Sequence, residues 1–249
     1  MPHFHPPKPI HGWRAFFGEI AVVVIGVLIA LSAEELVSDY TWRHRVEQGE
    51  EALRQEAASA FAIMAEQVAV APCIDAQIDA LRAHLLNNTA FAQPVPLQRD
   101  SYGTFVIRAP WRLLRDGAWQ SLVSDGTVPH MSQWTQKNTA AFYTQQSNIR
   151  ELLDHRRAAF DRLRIMADPI ELDQATRVSL LQDLSEQRGR NGEATLLAKQ
   201  MMQMILSLHR LPSADLVDRV AGPGAPGTIA YCRDKGLPVA DWKKVLPQG

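Results

Sequence analysis

The chain has 249 residues, 46% hydrophobic, 21% charged and only 7% aromatic, with a formal net charge of -1. That balance excludes a nucleic-acid partner, which would need a basic face. The length leaves room for one ordinary globular domain of roughly 200 residues.

A Pro/His-rich segment, residues 2–11, precedes an apolar run from Ile20 to Ala33. A helix needs about 20 residues at 1.5 Å each to cross roughly 30 Å of hydrocarbon, and residues 13–33 meet that length. Lys8 and Arg14 precede the run, whereas Glu34, Glu35 and Asp39 follow it. The basic side is expected to stay in the cytoplasm, which exports everything after the span. The predicted organisation is a short cytoplasmic tail over 1–12, a transmembrane helix over 13–33 and an extracytoplasmic domain over 34–249. A cleaved secretory signal ending at Leu31-Ser32-Ala33 is the alternative. Glu19 just before the apolar run argues for the uncleaved span, as does the helical pattern continuing through Glu34 and Glu35. Both readings export the same domain.

Glu19 is expensive in lipid, so it is expected at the interface, protonated, or against a protein partner. At about 100° per residue, Glu19, Gly26, Ala30 and Ala33 share one narrow sector of the helix. Small side chains let helices approach closely. The sector is therefore expected to contact a protein partner or a second copy of the chain.

Beyond the span, apolar residues recur at three and four spacings rather than alternating, which predicts an all-α fold. The span continues into an exported helical bundle. Leu36, Tyr40, Val46, Leu53, Ala57, Phe61, Met64 and Val68 form one stripe, with Gly49 as its weak point. Pro72 is expected to end this helix, and Ile74, Ile78, Leu81 and Leu85 to form a second that returns antiparallel and stops near Asn87 and Asn88. The pattern lapses over 89–109, where Pro94 and Pro96 forbid helix and 104–107 reads as a short strand or extended segment. A loop this long is functional or mobile. Helices are predicted over 111–124, 132–166, 171–187 and 193–211, the last two parted by Arg188-Gly189-Arg190-Asn191-Gly192, with an irregular segment from Gly222.

The order Gly18-Glu19-Ile20, then Val24-Ile25-Gly26-Val27-Leu28-Ile29-Ala30-Leu31, resembles the N-terminal anchor of a family of uncharacterised bacterial single-span membrane proteins. Ala118-Trp119-Gln120-Ser121-Leu122 with Ser124-Asp125-Gly126, ahead of the helix carrying Phe142 and Tyr143, is a second similarity. The chain departs from the family at Glu34-Glu35, where many members carry Asn and Trp. The resemblance implies an anchored helical domain in the bacterial inner membrane, its folded part periplasmic, and supplies no catalytic residues.

No nucleophile elbow, phosphate-binding Gly loop, zinc-protease helix or calcium loop occurs in the sequence. Nothing therefore calls for a catalytic residue, a cofactor or a metal, and His3 and His5 are too few for a stable site. Glu151, Asp154 and His155 share a helix with Arg150, Arg156, Arg157, Asp161, Arg162 and Arg164, which reads as a solvated, ion-paired face. Met201, Met202, Met204 and Ile205 are expected to pack in the core beside Leu197, Leu208 and Leu211. Trp111, Trp119 and Trp134 flank the irregular loop and are expected to cover a small core rather than line a groove.

The chain has two cysteines, and an exported domain occupies an oxidising compartment. A Cys73–Cys232 disulfide is therefore expected, stabilising by about 4 to 5 kcal/mol in the chain-entropy model. These features predict a non-catalytic envelope protein that scaffolds or assists membrane or periplasmic partners. The other reading is an extracytoplasmic ligand-binding or sensor module that signals through a partner.

Overall fold

The computed structural model describes residues 12–87, 91–100, 103–208 and 212–245. His3, His5, Lys8 and Leu211 lie outside the described residues. The fold is all-α. One helix, α1 (Gly12–Asn87, 76 residues), runs from the apolar N-terminal stretch through the centre of the domain, a contour of about 110 Å at 1.5 Å per residue.

The N-terminal part of α1 is long and apolar enough to cross a membrane, and none of that stretch is buried against the domain. Leu36 and Tyr40 are also exposed, so the predicted stripe does not begin to pack until Val46. From residue 60 to residue 71 every side of the helix is buried. Such a helix must be apolar all round, and only Glu66 and Gln67 break the run of Ala, Val, Ile, Met and Phe.

Pro72 does not end the helix, and no antiparallel return occurs at Ile74. Proline removes one intrahelical donor and crowds the preceding turn. Outside partners serve the carbonyls around it: Ala240 N donates to Ala69 O at 2.8 Å and Asn191 Nδ2 to Ala71 O at 2.9 Å. With Ile74, Ile78 and Leu85 fully buried beyond it, packing outweighs the local preference for a break. Gly49 is not a weak point either. It is buried, and a Cβ there would lie 2.4 Å from Leu122 Cδ2, so its missing side chain is the seat for that leucine.

The surrounding elements wrap this axis. After three short strands come α2 (Gly117–Ser124) and α3 (Gln133–Arg162), then a fourth strand, α4 (Gln174–Ser207), α5 (Ala214–Ala221) and α6 (Thr228–Asp234). β1 (Phe91–Ala92) pairs with β4 (Ile170–Glu171), and β2 (Gln98–Asp100) pairs with β3 (Gly103–Phe105). Residues 111–116 are not helical, so α2 starts later than expected. Side-chain caps start the longer helices. Ser132 accepts from Thr135 N at 3.0 Å and Asp173 from Thr176 N at 2.6 Å, each meeting one of the first-turn donors a helix leaves unpaired.

α4 is one helix rather than two. Gly189 and Gly192 each cost about 1 kcal/mol relative to Ala in a helix interior, yet both face solvent while Asn191 between them is buried against α1. Its amide donates to Ala71 O and, at 3.0 Å, to Asp75 Oδ1. Those bonds exist only if the helix continues through the glycines. Met201, Met202 and Ile205 are fully buried, as expected of a core cluster.

Candidate functional site

The segment after β3 crosses α1 in extended form and is held by side chains along its length. Gln77 of α1 treats Arg108 as a strand neighbour would, accepting from its N–H at 2.7 Å and donating to its carbonyl at 2.9 Å. Further along, Arg150 of α3 donates to Leu114 O at 2.7 Å and Gln146 donates to Arg115 O at 2.6 Å. Glu56 accepts from Ala118 N at 3.0 Å and from the Tyr143 hydroxyl at 2.6 Å. Four side chains from two helices thus replace a missing sheet, satisfying backbone groups that would otherwise be left to water.

The two predicted cysteines meet beside Gln77, whose Nε2 lies 3.6 Å from Cys73 Sγ. Their sulfurs are 2.05 Å apart and their Cα atoms 6.0 Å apart, and both side chains are fully buried. The bond fastens α6 to α1. The segment from Gly222 is less irregular than expected, with one short helix, Thr228–Asp234, and a final helical turn at Trp242–Val245.

Between the extended segment, the second half of α3 and the start of α6 lies a cavity of about 640 Å³, with Glu66 of the central helix in its wall. Among the described residues its lining includes five arginines, Arg108, Arg112, Arg150, Arg156 and Arg157, and four acids, Glu66, Asp154, Asp161 and Asp234. Apolar groups fill the remaining wall, Ile107, Trp111, Leu153 and Phe160 among them. This volume suits a small organic ligand, for which roughly 300 to 1,000 Å³ is usual.

The charged face of α3 is therefore not simply a solvated one. Asp154 and Asp161 are exposed at the rim, but Arg156 is buried with 2% of its surface exposed. Arg150 is paired with Asp116 at 3.0 Å, and the guanidinium carbon of Arg157 lies 3.0 Å from the centre of the Trp111 ring. Arg112 Nε donates to Glu66 Oε2 at 2.5 Å. Burial nevertheless holds the Glu66 carboxyl above the usual carboxylate range, with Arg112 opposing the shift. Burial also lowers Arg108 and raises the Tyr231 hydroxyl nearby.

Arg156 differs from its neighbours. Its Nη2 donates to Gln67 Oε1 at 3.0 Å, while Nη1 is buried without a hydrogen-bond partner. Burial alone pulls its pKa down to about 10. At roughly 1.4 kcal/mol per unit, keeping this guanidinium charged at neutral pH costs on the order of 3 kcal/mol. Gln67 passes the contact on to Asn191 at 3.4 Å, so a polar line crosses from α3 through α1 to α4. Gln187, one turn before Asn191, is fully buried with neither amide atom partnered.

The tryptophans divide. Trp111 is 41% exposed at the cavity wall, Trp119 stacks on Tyr143 with ring centres 5.8 Å apart, and Trp134 is 56% exposed. Only Trp119 fills the expected core role. In the anchor, Glu19, Gly26, Ala30 and Ala33 are all exposed, and nothing lies within 4 Å of a Cβ built at Gly26. Reading the sequence missed the cavity because its parts lie on α1, the extended segment, α3 and α6. The one available signal was the density of arginines between Arg150 and Arg164. No protein-family model, curated protein or solved structure matches this chain.

Proposed function

We propose that this chain is a non-catalytic, single-span ligand-binding module, anchored in a bacterial inner membrane with its N-terminus cytoplasmic and its folded domain periplasmic. The observation that carries the reading is the cavity: drug-sized, walled by four separate segments, and mixing apolar surface with a few fixed polar groups, the usual make-up of a small-molecule site. The charges flanking the anchor support the orientation, and the buried disulfide supports an oxidising compartment.

Scaffolding of envelope partners is the second reading. The wholly exposed span favours it, since its small-residue sector at Gly26, Ala30 and Ala33 is open to another helix. Isolation from native membranes in mild detergent separates the two. The ligand-binding reading expects a small molecule in the wild type that is absent when Ala230→Trp fills the cavity, with the protein partners unchanged. Identical small-molecule contents in both preparations would overturn it. A partner set lost on Gly26→Leu would establish the scaffold instead.

A further inference from the structure

We propose that the ligand of this cavity is a monoanion, a carboxylic acid with an apolar body, whose carboxylate is neutralised by Arg156. The inference rests on the ligand-binding reading above. A buried cation is tolerated when an opposite charge and hydrogen bonds replace its lost water. Arg156 has one such bond, to Gln67, and one buried nitrogen with none. Arg112 is paired with Glu66 and Arg150 with Asp116. Arg157 lies against Trp111.

The charge of the ligand follows from what surrounds that guanidinium. Among the described arginines of the lining, Arg156 is the one buried with an unpartnered nitrogen, and one such buried cation balances one negative charge. A phosphate dianion or a nucleotide would carry its excess charge past Asp154, Asp161 and Asp234, which line the same cavity and are exposed at its rim. Like charges at that range raise the cost of entry. Fixed guanidinium forks match carboxylates in shape as well as charge. The apolar body follows from the apolar share of the walls, to which Ile107, Leu153 and Phe160 contribute.

The test uses the full chain in phospholipid nanodiscs, with empty nanodiscs as the reference, titrated calorimetrically with 2-naphthoate, its neutral isostere 2-naphthamide and inorganic phosphate. Wild type is expected to bind the carboxylate at least about tenfold more tightly than the amide and to give no heat with phosphate. Arg156→Met is expected to abolish that preference while leaving the melting temperature unchanged or higher. A guanidinium kept only for structure would lower it. Asp161→Asn, a rim change that spares the interior, is expected to tighten naphthoate about two- to threefold and leave naphthamide unaltered. Equal affinity for acid and amide overturns the monoanion assignment while the cavity remains a binding site. Tighter binding of phosphate than of naphthoate overturns it in favour of a polyanion. Binding of neither aromatic probe overturns both the assignment and the ligand-binding reading.

Discussion

Glu66 sits in a helix turn buried on every side, and its carboxylate is kept there by one partly exposed guanidinium. A carboxyl whose pKa is raised by folding favours its protonated form in the fold. Its contribution is complete below the unfolded value near 4.5 and is lost as pH rises through the folded value. Removing Arg112 raises the folded value further and leaves a buried charge unpaired. Arg112→Ala is therefore expected to cost little near pH 4.5 but about 2 to 3 kcal/mol near pH 8, below the 3 to 5 of a fully buried pair because Arg112 is 35% exposed. Urea titrations at the two pH values measure this, and an equal loss at both would mean that Glu66 does not titrate against Arg112. At this scale the sequence was least legible. Asp154, Arg156 and Arg157 look alike as letters on a charged helix, and their different fates depend on which neighbours lie beside the helix.

α6 carries one wall of the cavity through Thr228, Ala230 and Tyr231, and its tie to α1 is the Cys73–Cys232 bond across 159 residues of sequence. Cross-linking so long a loop removes denatured-state entropy worth about 5 kcal/mol in the chain-entropy model. Replacing both cysteines with serine is expected to lower stability by roughly 3 to 5 kcal/mol and to speed amide exchange in α6 before α4. Exchange followed by mass spectrometry reads both segments; uniform loss of protection would mean that α6 is not separately held. The pairing was legible because two cysteines leave one choice. The continuity of α1 through Pro72 and of α4 through Gly189 and Gly192 was not. Local propensity marks these as stops, and the bonds from Ala240 and Asn191 that override them join positions far apart in sequence.

For the molecule as a whole, the long helix divides by burial rather than by sequence. Residues 16–41 are all exposed, and packing starts where Trp42 stacks on His130, ring centres 3.8 Å apart, and at Val46. Residues 34–41 thus form a stalk of about 12 Å at 1.5 Å per residue. A chain starting at Thr41 is expected to be soluble and to keep the unfolding free energy of the full protein within about 0.5 kcal/mol, because surface removed from solvent contact only is near neutral. Circular dichroism during urea titration checks this; an unfolded product would show that the stalk contributes to the core.

The apolar anchor, the all-α class, the methionine core and the cysteine pair were determined by the sequence alone. Each depends on composition, helical period or count, properties a single segment carries whatever it packs against. Only the tertiary structure decided that two helices pass through their breakers, that the stripe is solvent-facing at Leu36 and Tyr40, and that one arginine among several is buried without an acid. Those outcomes are set by burial and by hydrogen bonds between distant segments, whose free energy exceeds the roughly 1 to 3 kcal/mol of local preference at a glycine or proline.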